Sequence, residues 1–198
     1  ILVKAPLLGR LTLFTFRAWM GLGYVTRYLR GYLVWMFSSR EWTNFTFNLT
    51  DHSWRELVEF LHVITNAERE VVRGYLREAM DDAQLHHHIS NMTSAVPFYA
   101  AADKHARLGR RLGWYALVRI AKPMTVVESG IDKGLGTCAI AAALLRNQDE
   151  GSLGTVYALD IEPAAGWLIG SPYDAVVSMS IGDSHKTLDQ IPGSIDLF

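Results

Sequence analysis

The stretch "VVESGIDKGLGT", Val126 to Thr137, decides how the second half of the chain is read. It opens as a short apolar run, turns acidic at Glu128, and becomes rich in glycine at Gly130, Gly134 and Gly136. A helix-like run, "CAIAAALLRN", follows directly. Apolar run, tight loop and helix start together predict a strand, a ligand-holding turn and a helix N-terminus. Asp132 stands where loops of this shape often carry a further glycine.

Working outward, the period of the chain changes after Pro123. "MTVVE" (124–128), "GTVYALD" (154–160), "AVVSMS" (175–180) and "IDLF" (195–198) read as four strands, with a helix behind the first loop. Strands alternating with helices imply a parallel sheet. The fold class expected is α/β, a partial Rossmann-like doubly wound sheet, preceded by an α-helical N-terminal region. The expected division is residues 1–100 for that helical region and 101–198 for the sheet domain. The chain starts at Ile1 rather than Met and stops at Phe198 within an expected strand, which predicts a fragment.

Upstream, residues 1–40 are aromatic and basic, with Lys4, Arg10, Arg17, Arg27, Arg30 and Arg40 and no acid. No apolar run approaches the ~20 residues of a spanning helix. A pair of helices broken near Gly21 to Gly23 and packed on the rest is the plainer expectation. The sharper one is a surface resting on an anionic membrane. Ser53 to Glu56 and Thr65 to Glu68 read as capping boxes opening two helices. Leu57, Phe60, Leu61 and Ile64 form the apolar stripe of the first, and Val72, Tyr75, Leu76 and Ala79 that of the second. "HHHISNMTSAVPF" is expected to break this hairpin. A third helix is expected from about Asp103 to Ala121, striped by Leu108, Leu112, Tyr115 and Ala116 and flanked by Lys104, Arg107, Arg110 and Arg111. That flank is most simply a solvated face. The alternative is a grip on an acidic substrate or lipid headgroups. His86, His87 and His88 cannot all face one ion, because helical neighbours point about 100° apart, so a surface cluster is favoured over a metal site.

The bulk numbers exclude little. A net charge of −1 gives no global pull toward nucleic acid, and the single Cys138 permits no internal disulfide. The expected compartment is the cytoplasm, at the membrane surface if residues 1–40 dock there.

The chemistry gathers at the carboxyl ends of the expected strands, where ligands of such sheets sit. Glu128 and Gly130 follow the first strand, Asp160 ends the second, and Gly182, Asp183 and Ser184 follow the third. Asp160 lies 24 residues past Gly136, near the spacing of an acid that accepts from ribose hydroxyls. That suits NAD as well as any adenosine cofactor. Glu128 and Asp132 tip the balance, since carboxylates beside a pyrophosphate repel it. They suit S-adenosylmethionine, which carries an ammonium and a sulfonium and no phosphate.

"VVESGIDKGLGT", "VYALDIEP", "IGDSHKTL" and "IDLF" in this order resemble the successive motifs of class I S-adenosylmethionine-dependent methyltransferases. The likeness is nearest to bacterial small-molecule and glycan O-methyltransferases and covers about residues 110–198. The resemblance implies that the loop carrying Glu128, Gly130, Asp132, Gly134 and Gly136 wraps the methionine part of the cofactor. It implies that Asp160 holds the ribose, Ile161 packs on the adenine, and Asp183, with the backbone of Ser184, meets the adenine amino group. A divalent metal ion occurs in some members. Asp196 matches an acid that is usually structural. The acceptor implied is a hydroxyl of a small molecule, glycan or lipid-linked substrate, and a homo-oligomer is left open. Three other readings stand beside this one: an NAD(P)-dependent oxidoreductase, a GDS-type ester hydrolase with Ser184 as nucleophile, and a non-catalytic membrane-peripheral or assembly module.

Overall fold

A computed structural model describes residues 6–38, 48–96 and 107–198. The chain divides into two compact units, residues 1–45 and 46–198. The expected boundary at 100/101 falls outside the described residues.

The described residues of the first unit form one helix, α1 (Pro6–Ser38). The break expected near Gly21 to Gly23 is absent. A glycine inside a helix costs only about 1 kcal/mol relative to alanine, which 33 residues of backbone hydrogen bonding absorb. Thr15 and Thr26 turn their hydroxyls back onto helix carbonyls, so neither competes for a different backbone path.

The second unit begins with α2 (Asp51–Thr65), α3 (Arg69–Met80) and α4 (Ala83–Ala95). Neither expected capping box forms. Thr50 caps α2 and accepts from the Ser53 backbone N–H at 3.2 Å, three residues ahead of the box read from the sequence. Thr65 closes α2 instead of opening α3, its hydroxyl donating to the Leu61 carbonyl. The buried face of α2 is Val58 and Leu61, with Leu57 packed against it, whereas Phe60 and Ile64 face out. On α3, Val72, Leu76 and Ala79 are buried as expected. The histidine run does not break the pattern: it lies inside α4, capped by Asp82, which accepts from the Leu85 N–H. Its three imidazoles take three different partners. His86 meets the Met80 carbonyl, His87 meets Asn91, and His88 meets the Leu168 carbonyl with its ring edge on Tyr173.

Helix α5 (Arg111–Ala121) buries the expected stripe of Leu112, Tyr115 and Ala116, with Leu108 just ahead of it, and ends at Lys122 in the left-handed region. Strand β1 (Thr125–Ser129), helix α6 (Leu135–Asp149), strand β2 (Thr155–Asp160) and strand β3 (Val177–Ile181) then follow. Both strand pairs are parallel, in the register Val126 to Val156 and Val156 to Val177. Turns and a 3₁₀ segment (Tyr173–Val176) carry the chain from β2 to β3, with no α-helix between them. The short helix α7 (Ser184–Thr187) opens beyond β3.

Helix α6 is buried on every side from Leu135 to Leu144. Its alanine-rich surface lets β2 and α5 approach from different directions, and short side chains make that close packing feasible. One continuous core runs from α2 through α6 to the sheet. Arg119 is buried in it, 3% exposed, and binds Glu78, Asn147 and Glu150 with its guanidinium over the Tyr75 ring.

The expected fourth strand contributes a single parallel bridge, Leu197 to Val126. Its side of β1 follows from alternation along a strand. Met124 and Gly130, even positions, bond toward β2, whereas Thr125 and Val127, odd positions, bond to Leu197. Leu197 therefore lies on the edge of β1 away from β2. Asp196 fastens it there, one carboxylate oxygen accepting from both the Met124 and Thr125 N–H groups at 2.9 Å. The spatial order is β3, β2, β1, then Leu197, so the chain reverses its direction of travel across the sheet at β1. This is the topological switch of a doubly wound sheet, and it places the crevice at the carboxyl end of β1.

Candidate functional site

The loop from Ser129 to Gly134 leaves β1 at that crevice. Gly130 adopts φ +76°, and a Cβ there would meet nothing within 4 Å, so the turn both needs glycine and opens onto free space. Asp132 takes the left-handed conformation at φ 51°, which aspartate tolerates better than most residues. Its side chain is exposed, so it does not fill the loop. Gly134 caps α6 at φ 92°, pressed against Ile169. Gly136 permits a close approach: a Cβ would sit 2.5 Å from the Trp114 ring and would also collide with Glu128 Oε1.

Two straps hold the loop. From one side, the Asp132 and Lys133 carbonyls accept from the Gly166 and Leu168 N–H groups at 2.7 and 2.9 Å. From the other, Asp160 at the end of β2 accepts from the Asp132 N–H through one carboxylate oxygen and from the Glu162 N–H through the other, each at 2.9 Å. These backbone donors hold the Asp160 carboxyl below its ordinary pKa against the opposing effect of burial, so it stays ionised. Two N–H groups use only half of a carboxylate's acceptor capacity.

Glu128 points from β1 beneath the start of α6, where Oε2 accepts from the Thr137 hydroxyl at 2.7 Å. Burial pushes its carboxyl up to about 7, partly offset by that hydrogen bond and by Arg111. The native state therefore binds a proton here that the unfolded chain has released, between pH 4.5 and about 7. Stability falls as pH rises through that window. Glu128→Gln is expected to flatten the fall and to raise stability at pH 8 by up to about 3 kcal/mol, measured by urea unfolding across pH.

Beyond β2, Ile161 is 76% exposed and presents an apolar side chain at the crevice rim. Asp183 caps α7, accepting from the His185 N–H at 3.0 Å, and Ser184 is the first residue of that helix. The structure thus gathers Glu128, Gly130, Asp132, Asp160 and Ile161 around the ends of β1 and β2, with Asp183 and Ser184 at the end of β3. Gly134 and Gly136 shape the helix start.

Four residues at this site were not singled out for it from the sequence. Thr137 anchors Glu128, and Trp114 packs on Gly136. Lys133, 7% exposed, is lowered to about 8 by burial. Arg111 was assigned to a solvated flank, but its guanidinium lies 5.8 Å over the Trp114 ring, within electrostatic reach of Glu128 and Asp132. Trp114 and Arg111 sit on α5, and no spacing in the chain ties that helix to the loop.

No group of three or more His, Cys, Asp or Glu placed to hold a metal ion occurs among the described residues. No helix among them is long and apolar enough to cross a membrane. No curated protein and no solved structure matches the chain. A family model described as a methyltransferase domain does match, over residues 127–198, the segment from β1 through Leu197 that carries the loop and all three strand ends. Residues 127–198 are therefore similar to a methyltransferase domain.

Proposed function

We propose that this domain transfers a methyl group from S-adenosylmethionine to a hydroxyl oxygen of a small molecule, glycan or lipid-linked acceptor. The observation that carries the reading is the pair of carboxylates, Glu128 and Asp160, flanking the open space at Gly130 where the sheet reverses direction. When bound, the cofactor supplies an electrophilic methyl on a cationic sulfur. Asp160 accepts the ribose hydroxyls with the lone pairs its two backbone donors leave over. Glu128 and Asp132 place negative charge where a cationic ligand needs it, and Ile161 offers an apolar surface to the adenine. Asp183 keeps acceptor capacity for the adenine amino group while it caps α7. Transfer to oxygen rests on the resemblance to O-methyltransferases. The hydroxyl oxygen takes the methyl, S-adenosylhomocysteine leaves with the electron pair of the broken carbon–sulfur bond, and the hydroxyl proton passes to water; the residues' contribution is alignment of the two reactants.

Calorimetric titration with S-adenosylhomocysteine and with NAD tests this. Micromolar binding of the first alone supports it. Binding of NAD alone, or of neither by the folded chain, sinks it. Activity measured with and without EDTA reads any dependence on a divalent metal.

In this proposal α1 stands as a contact with an anionic membrane on the cytoplasmic face. Because α1 is continuous, its arginines can be placed on one wheel. At about 100° per residue, Arg17, Arg27 and Arg30 fall within an arc of about 140°. Exposed apolar and aromatic side chains stand on both sides of the helix, Phe14, Trp19, Leu22 and Leu29 outside that arc and Phe16, Met20 and Tyr24 among the arginines. A helix that intersperses arginines with exposed aromatic side chains suits the interface of an anionic bilayer. The full chain is expected to sediment with vesicles containing phosphatidylserine, less so in high salt, and not after removal of residues 1–40. Equal sedimentation with neutral vesicles would contradict the electrostatic part.

A further inference from the structure

Arg111 is placed against expectation. It opens α5 beside Arg110, with no acid in the first turn, so two cations stand at the positive end of a helix. Its Nε is the one buried side-chain nitrogen or oxygen without a hydrogen-bond partner among the described residues. A buried donor left unsatisfied is costly and calls for a reason. Its stem and guanidinium are not loose, because the Trp114 ring lies beneath them, and Trp114 is itself wedged against Gly136 at the start of α6. The guanidinium is thus held beside the loop on the flank of Glu128 and Asp132.

We propose that Arg111 is the carboxylate anchor of the site: it receives the carboxylate of the amino-acid part of the methyl donor, while Glu128 and Asp132 receive the ammonium. This rests on the cofactor reading above and extends it to a residue outside the matched segment. An α-amino acid presents one positive and one negative group on the same carbon, and the crevice presents both complements. S-adenosylmethionine itself carries an ammonium, a sulfonium and a carboxylate, so it needs both kinds of partner. A planar guanidinium is suited to a carboxylate because two of its N–H groups can bond both oxygens.

The test compares two ligands that differ in the amino-acid group whose carboxylate Arg111 would hold. S-adenosylhomocysteine carries the amino-acid group, and 5′-deoxy-5′-methylthioadenosine lacks it. In calorimetric titration of the full chain, Arg111→Met, which keeps an apolar stem over Trp114, should weaken S-adenosylhomocysteine by about 10- to 100-fold. It should leave methylthioadenosine unchanged. Unchanged binding of S-adenosylhomocysteine, or equal weakening of both ligands, overturns the assignment, the second outcome marking Arg111 as a packing residue only. If the unaltered chain binds neither ligand, the cofactor reading itself fails, and the anchor with it. Should Arg111→Met not fold, Arg111→Lys makes the same comparison. A smaller loss confined to S-adenosylhomocysteine supports the anchor, and an equal loss on both ligands overturns it.

Discussion

Arg119→Met is expected to destabilise the 46–198 unit by about 3–5 kcal/mol, the range for breaking a buried charge pair from one side. Arg119 is nearly inaccessible and serves three elements at once. It donates to Glu78 on α3, to Asn147 on α6, and to Glu150 beyond the end of α6. Its guanidinium also covers the Tyr75 ring at 4.8 Å. Methionine fills much of the volume but donates nothing. Glu78 would keep the Tyr115 hydroxyl as its partner, and Asn147 would keep only its donor bond to the Val118 carbonyl. At about 2–4 °C per kcal/mol for a unit of this size, the midpoint of thermal unfolding should drop by about 6–20 °C. A drop of only a degree or two would mean that the network contributes specificity and little stability.

Asp160→Ala is expected to weaken S-adenosylhomocysteine at least about 100-fold, since hydrogen bonds to a charged group are each worth roughly 1.5–3 kcal/mol. Two losses combine. The ribose acceptor goes, and so does the carboxylate that binds the Asp132 and Glu162 N–H groups and fixes the loop against the end of β2. Asp160→Asn separates them, because an amide oxygen still accepts one N–H while the charge is lost. Calorimetry should rank the unaltered chain, then asparagine, then alanine. Equal binding by all three would remove Asp160 from the site and leave it a loop fastener.

The first three strands were legible because each is a short apolar run bounded by glycine, proline or an acid, and their observed bounds differ from the expected ones by two residues or fewer, whereas the fourth forms only a single bridge. Helix starts were read less well. The boxes at Ser53 and Thr65 match a pattern that any serine or threonine three residues before a glutamate will match. The cap that forms is Thr50, three residues upstream, whose hydroxyl accepts from the Ser53 N–H. The histidine run was read as a break because it lacks an apolar stripe, yet Leu85 and Ile89 suffice to seat α4.

By itself the sequence determined the order of acids and glycines along the chain, and therefore which residues would stand at strand ends once a parallel sheet formed. Period-2 and period-3.6 patterns are local, and so are the turn preferences of glycine and aspartate. Tertiary structure alone decided which edge of β1 would receive Leu197, and hence where the crevice opens. It alone brought α5 beside the loop, with Trp114 against Gly136 and Arg111 beside Glu128. Those contacts join residues 17 to 22 positions apart across a turn and a strand, where no periodicity reaches and only the packing of α5 on α6 sets the distance.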